Sequence, residues 1–298
     1  MLKFNKITIN DISIINAYLL SSTAKIADRT LGSFFLWGEH LSLEFATCDF
    51  ALFIKMKLAN QTYFFMPILT DLSFMGYAFN LIEEYADKND LSLKFYAVEK
   101  DEIAVFQDRY KTITYNYDAK WSDYIYDAQS MATFKGRKYN GQRNFVNRFN
   151  RLYENWSVEE INQSNLNKIS GFLEEYYDKI KKDAKLFNEE RERLKVILHN
   201  YDKFNFSGLI LKVEDKIVAL SIGEKRFNTL FIHVEKANVE YQGAYQMIVN
   251  EFAKKFVDDN ICYINREDAA GDEGLIASKK SYHPVFMGDK YYVTVKEY

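Results

Sequence analysis

Tyr241-Gln242-Gly243-Ala244-Tyr245-Gln246 opens the part of the chain that decides its fold. A helix-like stretch follows, and then Cys262-Tyr263-Ile264-Asn265-Arg266-Glu267-Asp268. Gly271-Asp272-Glu273-Gly274-Leu275 and Ser278-Lys279-Lys280-Ser281-Tyr282-His283-Pro284 complete it. A glycine turn opens one helix, an apolar strand ends in acidic residues, and a second helix stops at a proline. That order describes strand, helix, strand and helix around a ligand cleft.

Working outward, Thr229–Val234 reads as the preceding strand, and Ala244–Phe256 as a helix with Met247, Ile248, Phe252 and Phe256 on one face. Ile261–Asn265 is the next strand, Asp272–Tyr282 the next helix, and Lys290–Val295 a final strand. Upstream, Leu166–Lys182 and Asn188–His199 read as helices, and Phe206–Val213 and Lys216–Ile222 as a hairpin about Glu214-Asp215. The first half has the same rhythm. Asp11–Leu20 is a helix with Asp11 as its N-cap. Leu41–Phe45, Ala51–Leu58 and Thr62–Pro67 are strands, the last two joined through Ala59-Asn60-Gln61. Ser73–Lys88 carries Phe74, Tyr77, Ala78, Leu81, Ile82 and Tyr85 at helical spacing. Leu91–Val98 is a strand, Lys100–Tyr110 a short helix, and Ile113–Tyr117 and Trp121–Tyr126 are tyrosine-rich strands. The element order repeats without a residue-level repeat, so the chain reads as two similar α+β domains, residues 1–155 and 156–298, each a mixed, largely antiparallel sheet flanked by helices.

The composition is that of a globular chain: 298 residues, 48% hydrophobic and 27% charged. Aromatics reach 16%, enough ring surface for a large core. The net charge of −3 provides no global field for nucleic acid or anionic membrane, so such a contact needs a local patch. Cys48 and Cys262 sit among apolar residues and read as buried free thiols of a reducing compartment. No CxxC, HExxH or His/Cys cluster points to a metal. No stretch reaches the roughly 18 apolar residues of a membrane span, so a cytoplasmic protein without a transmembrane segment is expected.

One patch stands out. Lys135 to Arg151, KGRKYNGQRNFVNRFNR, holds six basic residues and no acidic one. Arg137, Lys138, Arg143 and Arg148 are its candidate anion-binding residues, as arginine forks suit phosphates. The alternative is a helix between the domains whose arginines pair with acidic side chains elsewhere. Gly243 and Ala244 at a helix start form a second, phosphate-compatible turn, although Glu240 just before it opposes a pyrophosphate. Glu267 and Asp268 at a strand end are candidate bases or ligands for a cationic aminoacyl group, or simply charges near the next helix start. Asn265 beside them is, with Gly243 and Ala244, a candidate donor-binding residue. Of the four histidines, His283 is the candidate base, with a structural role as its alternative.

The motifs at Gly136–Tyr139, Arg143–Phe149, Gly243–Gln246, Asn265–Asp268 and Ser281–Pro284 together resemble the bacterial family related to the C-terminal domain of phosphatidylglycerol lysyltransferase. The resemblance covers essentially the whole chain. It implies a tandem pair of acetyltransferase-like (GNAT) domains. It also implies kinship with lysyl-phosphatidylglycerol synthases and Fem-type peptidyltransferases, which move an aminoacyl group from tRNA to a lipid or a peptidoglycan precursor. On this reading the chain is an acyl- or aminoacyltransferase with no tightly bound cofactor. Acyl-CoA or aminoacyl-tRNA is the co-substrate, and a small molecule, peptide or lipid headgroup is the acceptor. The alternative is a non-catalytic binding module on a degenerate version of the same fold.

Overall fold

The computed structural model describes residues 1–179 and 185–297. In chain order the first elements are β1 (Asn5–Lys6), α1 (Ile12–Leu19), α2 (Leu31–Trp37), β2 (Glu44–Cys48), β3 (Ala51–Leu58), β4 (Gln61–Phe64), β5 (Ile68–Leu69), α3 (Met75–Lys88), β6 (Lys94–Val98), α4 (Ile103–Arg109) and β7 (Thr112–Tyr117). Then come β8 (Asp123–Asp127), α5 (Ala128–Thr133), α6 (Asn140–Leu152), β9 (Trp156–Glu160), α7 (Leu166–Lys179), α8 (Lys185–His199), β10 (Ser207–Val213), β11 (Lys216–Arg226) and β12 (Thr229–Ala237). The chain continues through α9 (Ala244–Phe256), β13 (Tyr263–Asn265), α10 (Glu273–Lys280), β14 (Phe286–Gly288) and β15 (Tyr291–Glu297).

The chain forms two compact units, one of Met1–Asp123 with Gly288–Tyr298, the other Tyr124–Met287. The first sheet runs β1-β2-β3-β4-β6-β15-β7, with β5 on β3. The second runs β14-β8-β13-β12-β11-β10-β9. Both are mixed and mainly antiparallel; β4 with β6 and β12 with β13 are parallel pairs. The α+β class holds, with a mixed, largely antiparallel sheet flanked by helices in each unit. The compact units, however, divide near residue 123 rather than at 155, because strand pairing outweighs sequence neighbourhood. β8 pairs with β13, which takes the basic helix α6 into the second unit. β15 pairs with β6 and β7, which returns the end of the chain to the first.

The first core is built on rings. Phe79 on α3 meets Phe95 on β6 at 5.5 Å and Phe106 on α4 at 5.4 Å. Its helix buries Ala78, Phe79, Ile82 and Ala86. The expected stripe was therefore turned by about one residue, and Tyr77 faces solvent. Two local expectations also change. Asp11 does not cap α1; its carboxylate reaches back to the Thr8 N–H at 2.8 Å, closing the turn before the helix. Cys48 is half-buried and Cys262 is exposed, so neither is a core thiol. Residues 180–182 of the expected Leu166–Lys182 helix lie outside the described residues. In the second unit Met247, Ile248 and Phe252 of α9 pack on Leu209, Val218, Leu230 and Ile232 of the sheet. That packing fixes β12 and places the strand openings described next. No helix among the described residues is long and apolar enough to cross a membrane.

Candidate active site

β12 and β13 lie side by side only where Thr229, Leu230 and Phe231 face Tyr263, Ile264 and Asn265. Past that point β12 stays with β11 as far as Ala237. The chain beyond β13 stays with β8: Arg266 N–H donates to the Tyr124 carbonyl at 3.1 Å, and Tyr124 N–H donates to the Glu267 carbonyl at 3.1 Å. The parallel strands therefore part, and side chains bridge the gap where ladder hydrogen bonds end. Arg266 Nη2 donates to Glu235 Oε1 at 2.6 Å. His233 Nδ1 meets Glu267 Oε1 at 2.7 Å.

A β-bulge aims His233 into this gap. The register passes from Ile222↔Val234 to Gly223↔Ile232, which leaves His233 without a strand partner. A bulge is a means of re-aiming one side chain. Gly223 makes it sterically feasible, since a Cβ there would lie 2.1 Å from the Phe231 carbonyl oxygen.

Behind His233 the chain of contacts continues inward. Nε2 lies 2.9 Å from Glu224 Oε1, and Arg226 Nε donates to Glu224 Oε2 at 2.5 Å. The side chains of His233 and Glu224 are 1% and 2% exposed, that of Glu267 17%. Burial alone would lower the imidazole pKa, but hydrogen bonds to Glu224 and Glu267 and their charges raise it to about 9. At neutral pH the ring is an imidazolium donating from both nitrogens. Arg226, Glu224, His233 and Glu267 then alternate in charge along the chain of contacts. Glu267 is the outer end, and its Oε2 has no partner among the described residues.

The backbone supports that placement. Glu267 has φ 58°, an unusual conformation for a non-glycine residue and one that clusters at functional sites. Its N–H donates to Asn265 Oδ1 at 2.7 Å. Lys279 Nζ donates to the carbonyls of Arg266 at 2.6 Å and Glu267 at 3.2 Å, and also to that of Asp268. A buried Asn and a helix-borne Lys thus hold the turn that presents the carboxylate.

Of the residues picked from sequence, Glu267 and Asn265 belong to this site. Asp268 is next to them and spends Oδ1 on the Ala270 N–H at 2.8 Å, a turn contact. His283 is exposed, with Nε2 at 2.9 Å from the Lys138 carbonyl, and is no part of the Glu267 group. Arg143 is turned inward on its own turn, donating to the carbonyls of Phe134 and, at 2.7 Å, Gly136. It is a structural clamp rather than an anion receptor. Arg137, Lys138 and Arg148 are exposed. Among the described residues no hydrogen bond or ion pair joins them to Glu267.

Gly243 and Ala244 serve packing. Gly243 has φ 91°, and a Cβ on it would stand 2.5 Å from the Phe145 carbonyl oxygen of α6. Ala244 is buried; its N–H donates to the Tyr241 carbonyl at 3.0 Å, and the Gln242 N–H to Tyr153 Oη at 3.2 Å. Close approach of α6 and α9 accounts for this glycine.

Sequence reading missed Glu224, Arg226 and His233. Their signal was present, as His233 interrupts the apolar run from Leu230 to Val234 and Glu235 ends it, on a strand that should be central. A bulge shifts the alternation and hides which face such residues take.

Residues 21–294 match the model of the family described as phosphatidylglycerol lysyltransferase, C-terminal. A conserved protein of unknown function from Bacteroides thetaiotaomicron has a similar crystal structure, 30% identical, covering 99% of this chain and 100% of that one, with a TM-score of 0.89. L-PGS from Bacillus licheniformis is 18% identical over 95% of this chain and 91% of that one, TM-score 0.66. FemX is 9% identical over 99% and 97%, TM-score 0.61. At such identities the last two show a shared fold. An uncharacterised protein of Mycoplasmoides gallisepticum is 23% identical over 175 residues, 58% of this chain and 56% of that protein. The match thus spans little more than half the length of this relative.

Proposed function

The chain belongs to the phosphatidylglycerol lysyltransferase C-terminal family, and on that premise we propose that it is an aminoacyltransferase using aminoacyl-tRNA as donor. The observation that carries this reading is the Glu267 carboxylate, held at the strand opening with one oxygen fixed by His233 and the other without a partner among the described residues. In the proposed reaction an acceptor amine or hydroxyl attacks the carbonyl carbon of the aminoacyl ester. Glu267 accepts the proton of the nucleophile as the new bond forms. The bond to the ribose oxygen of the tRNA breaks, and that oxygen leaves with the proton that Glu267 took from the nucleophile, which returns the carboxylate. Most of the acceleration would come from holding nucleophile and ester together.

The donor assignment rests on two contrasts. The start of α9, the phosphate-compatible turn of the sequence, has the Gln242 and Ala244 N–H groups engaged and Phe145 pressed on Gly243. That surrounding does not fit a pyrophosphate well, so we derive no step through CoA. Exposed Arg137, Lys138, Arg148 and Arg151 instead offer a cationic face to an extended polyanion such as RNA. The proposed acceptor is a lipid headgroup, a peptide or another small molecule with an amine or hydroxyl. We place the reaction in the cytoplasm, with no tightly bound cofactor. A non-catalytic binding module offers no account of a buried imidazolium tied to the outer carboxylate. The test is transfer of a labelled amino acid from charged tRNA to candidate acceptors, by the native protein and by Glu267→Gln.

A further inference from the structure

We infer that His233, backed by Glu224 and Arg226, is a positioning residue that fixes the carboxylate of Glu267 for its reaction. The inference rests on reading Glu267 as the reacting carboxylate. Four observations converge on it. The bulge at Gly223 and His233 serves no pairing need of the strand, yet it turns the imidazole toward Glu267. The ring is buried, whereas its partner is partly exposed. Its far nitrogen is held by a carboxylate that Arg226 supports in turn. Glu267 sits at a positive φ, so its own backbone would not choose this direction unaided.

The chemical logic is that of two donors on one ring. As an imidazolium, His233 donates to Glu224 and Glu267 together; as a neutral imidazole it has one N–H and must release one of them. The charged groups facing the ring are Glu224, with Arg226 behind it, from β11, and Glu267 beyond β13. Phe206 lies 6.0 Å from the ring, and Glu235 on the same strand is turned to Arg266. No proton passes to His233 during the reaction. It keeps both hydrogen bonds while Glu267 takes up the acceptor's proton on its other oxygen. Both Glu267 oxygens thereby have separate duties, one for orientation and one for chemistry.

The experiment is the pH profile of transfer from charged tRNA by the native protein and by His233→Gln, read beside an NMR titration of the imidazole. His233→Gln should lower kcat roughly 10²-fold, the scale of one proton-transfer contribution, with KM for charged tRNA unchanged. The native profile should fall as pH rises through about 9, and that limb should vanish in the variant. A variant with native kcat and the same alkaline limb would overturn the inference. If the native protein transfers nothing from any charged tRNA, the proposed function fails, and the titration still decides the positioning role. One imidazole should titrate near 9, and in Glu267→Gln it should move toward the ordinary histidine range. An imidazole titrating in the ordinary range in the native protein, or unmoved by Glu267→Gln, would refute it. The titration uses the native chain and so stands even if His233→Gln does not fold.

Discussion

Glu235 Oε1 accepts a hydrogen bond from Arg266 Nη2 at 2.6 Å across the gap where two parallel strands separate. The guanidinium also lies over the Tyr282 ring, 4.5 Å from its centre. One largely buried pair thus bridges the opening beside Glu267. Removing one partner strands a charge in the interior, which typically costs about 3–5 kcal/mol. Arg266→Met should therefore lower the melting temperature sharply. The double variant Arg266→Met, Glu235→Leu should recover much of the loss, as measured by a double-mutant cycle in denaturant.

Gly243→Ala should destabilise the second unit by about 2–3 kcal/mol, from a positive φ together with a contact that backbone atoms cannot easily relieve. The contact is the Phe145 carbonyl oxygen, 2.5 Å from the added Cβ. Gly136 offers the control: it too has positive φ, 99°, but a Cβ there meets nothing within 4 Å. Gly136→Ala should cost less, and denaturant midpoints of the two variants measure the difference.

Alkaline pH should weaken the fold through His233. Its folded pKa of about 9 lies above the ordinary 6.5, so its stabilisation is complete below 6.5 and is lost as pH rises through about 9. Glu99, in the first unit, acts at lower pH. Burial raises its carboxyl from 4.5 to about 7, against the opposing pull of Arg29. Ionising it therefore costs stability progressively as pH rises from 4.5 through about 7. Glu99→Gln should be more stable than the native protein at pH 8 and should leave the alkaline loss in place. Melting temperatures across this pH range check both.

The outline of the second half was readable because its elements carry strong local signals. The helix Ala244–Phe256 was delimited correctly, since a positive-φ glycine opens it and its apolar face is regular. β11 and β12 were recognised but cut short at Ile222 and Val234, where the bulge breaks the alternation. The membership of β15 was not readable. Tyr291–Glu297 is one more amphipathic strand, and only its pairing with β6 and β7 assigns it to the first sheet. The site divides in the same way. Glu267 was found because acidic residues at a strand end are conspicuous. His233 and Glu224 were not, because buried polar residues are recognised by their partners, and those partners are distant in sequence.

The basic run should act in two separate ways. Exposed Arg137, Lys138, Arg148 and Arg151 should bind RNA, so replacing Arg148 and Arg151 by Gln should weaken binding and flatten its dependence on salt. Arg143 should behave otherwise. It holds the carbonyls of Phe134 and Gly136, so Arg143→Gln should lower stability while leaving the salt slope intact. Filter binding across a salt series, beside thermal melts, separates the two. Equal effects from both substitutions would contradict this division.

The most direct measurement is transfer itself. Total tRNA charged with labelled amino acids is incubated with the protein and a mixture of lipid and peptide acceptors, and label is followed from tRNA into product. The native protein should move at least one amino acid, Glu267→Gln should lose the transfer by roughly 10²-fold or more, and acetyl-CoA should not substitute as donor. Label that stays on tRNA with every acceptor, or a Glu267→Gln variant as active as the native protein, would contradict the assignment.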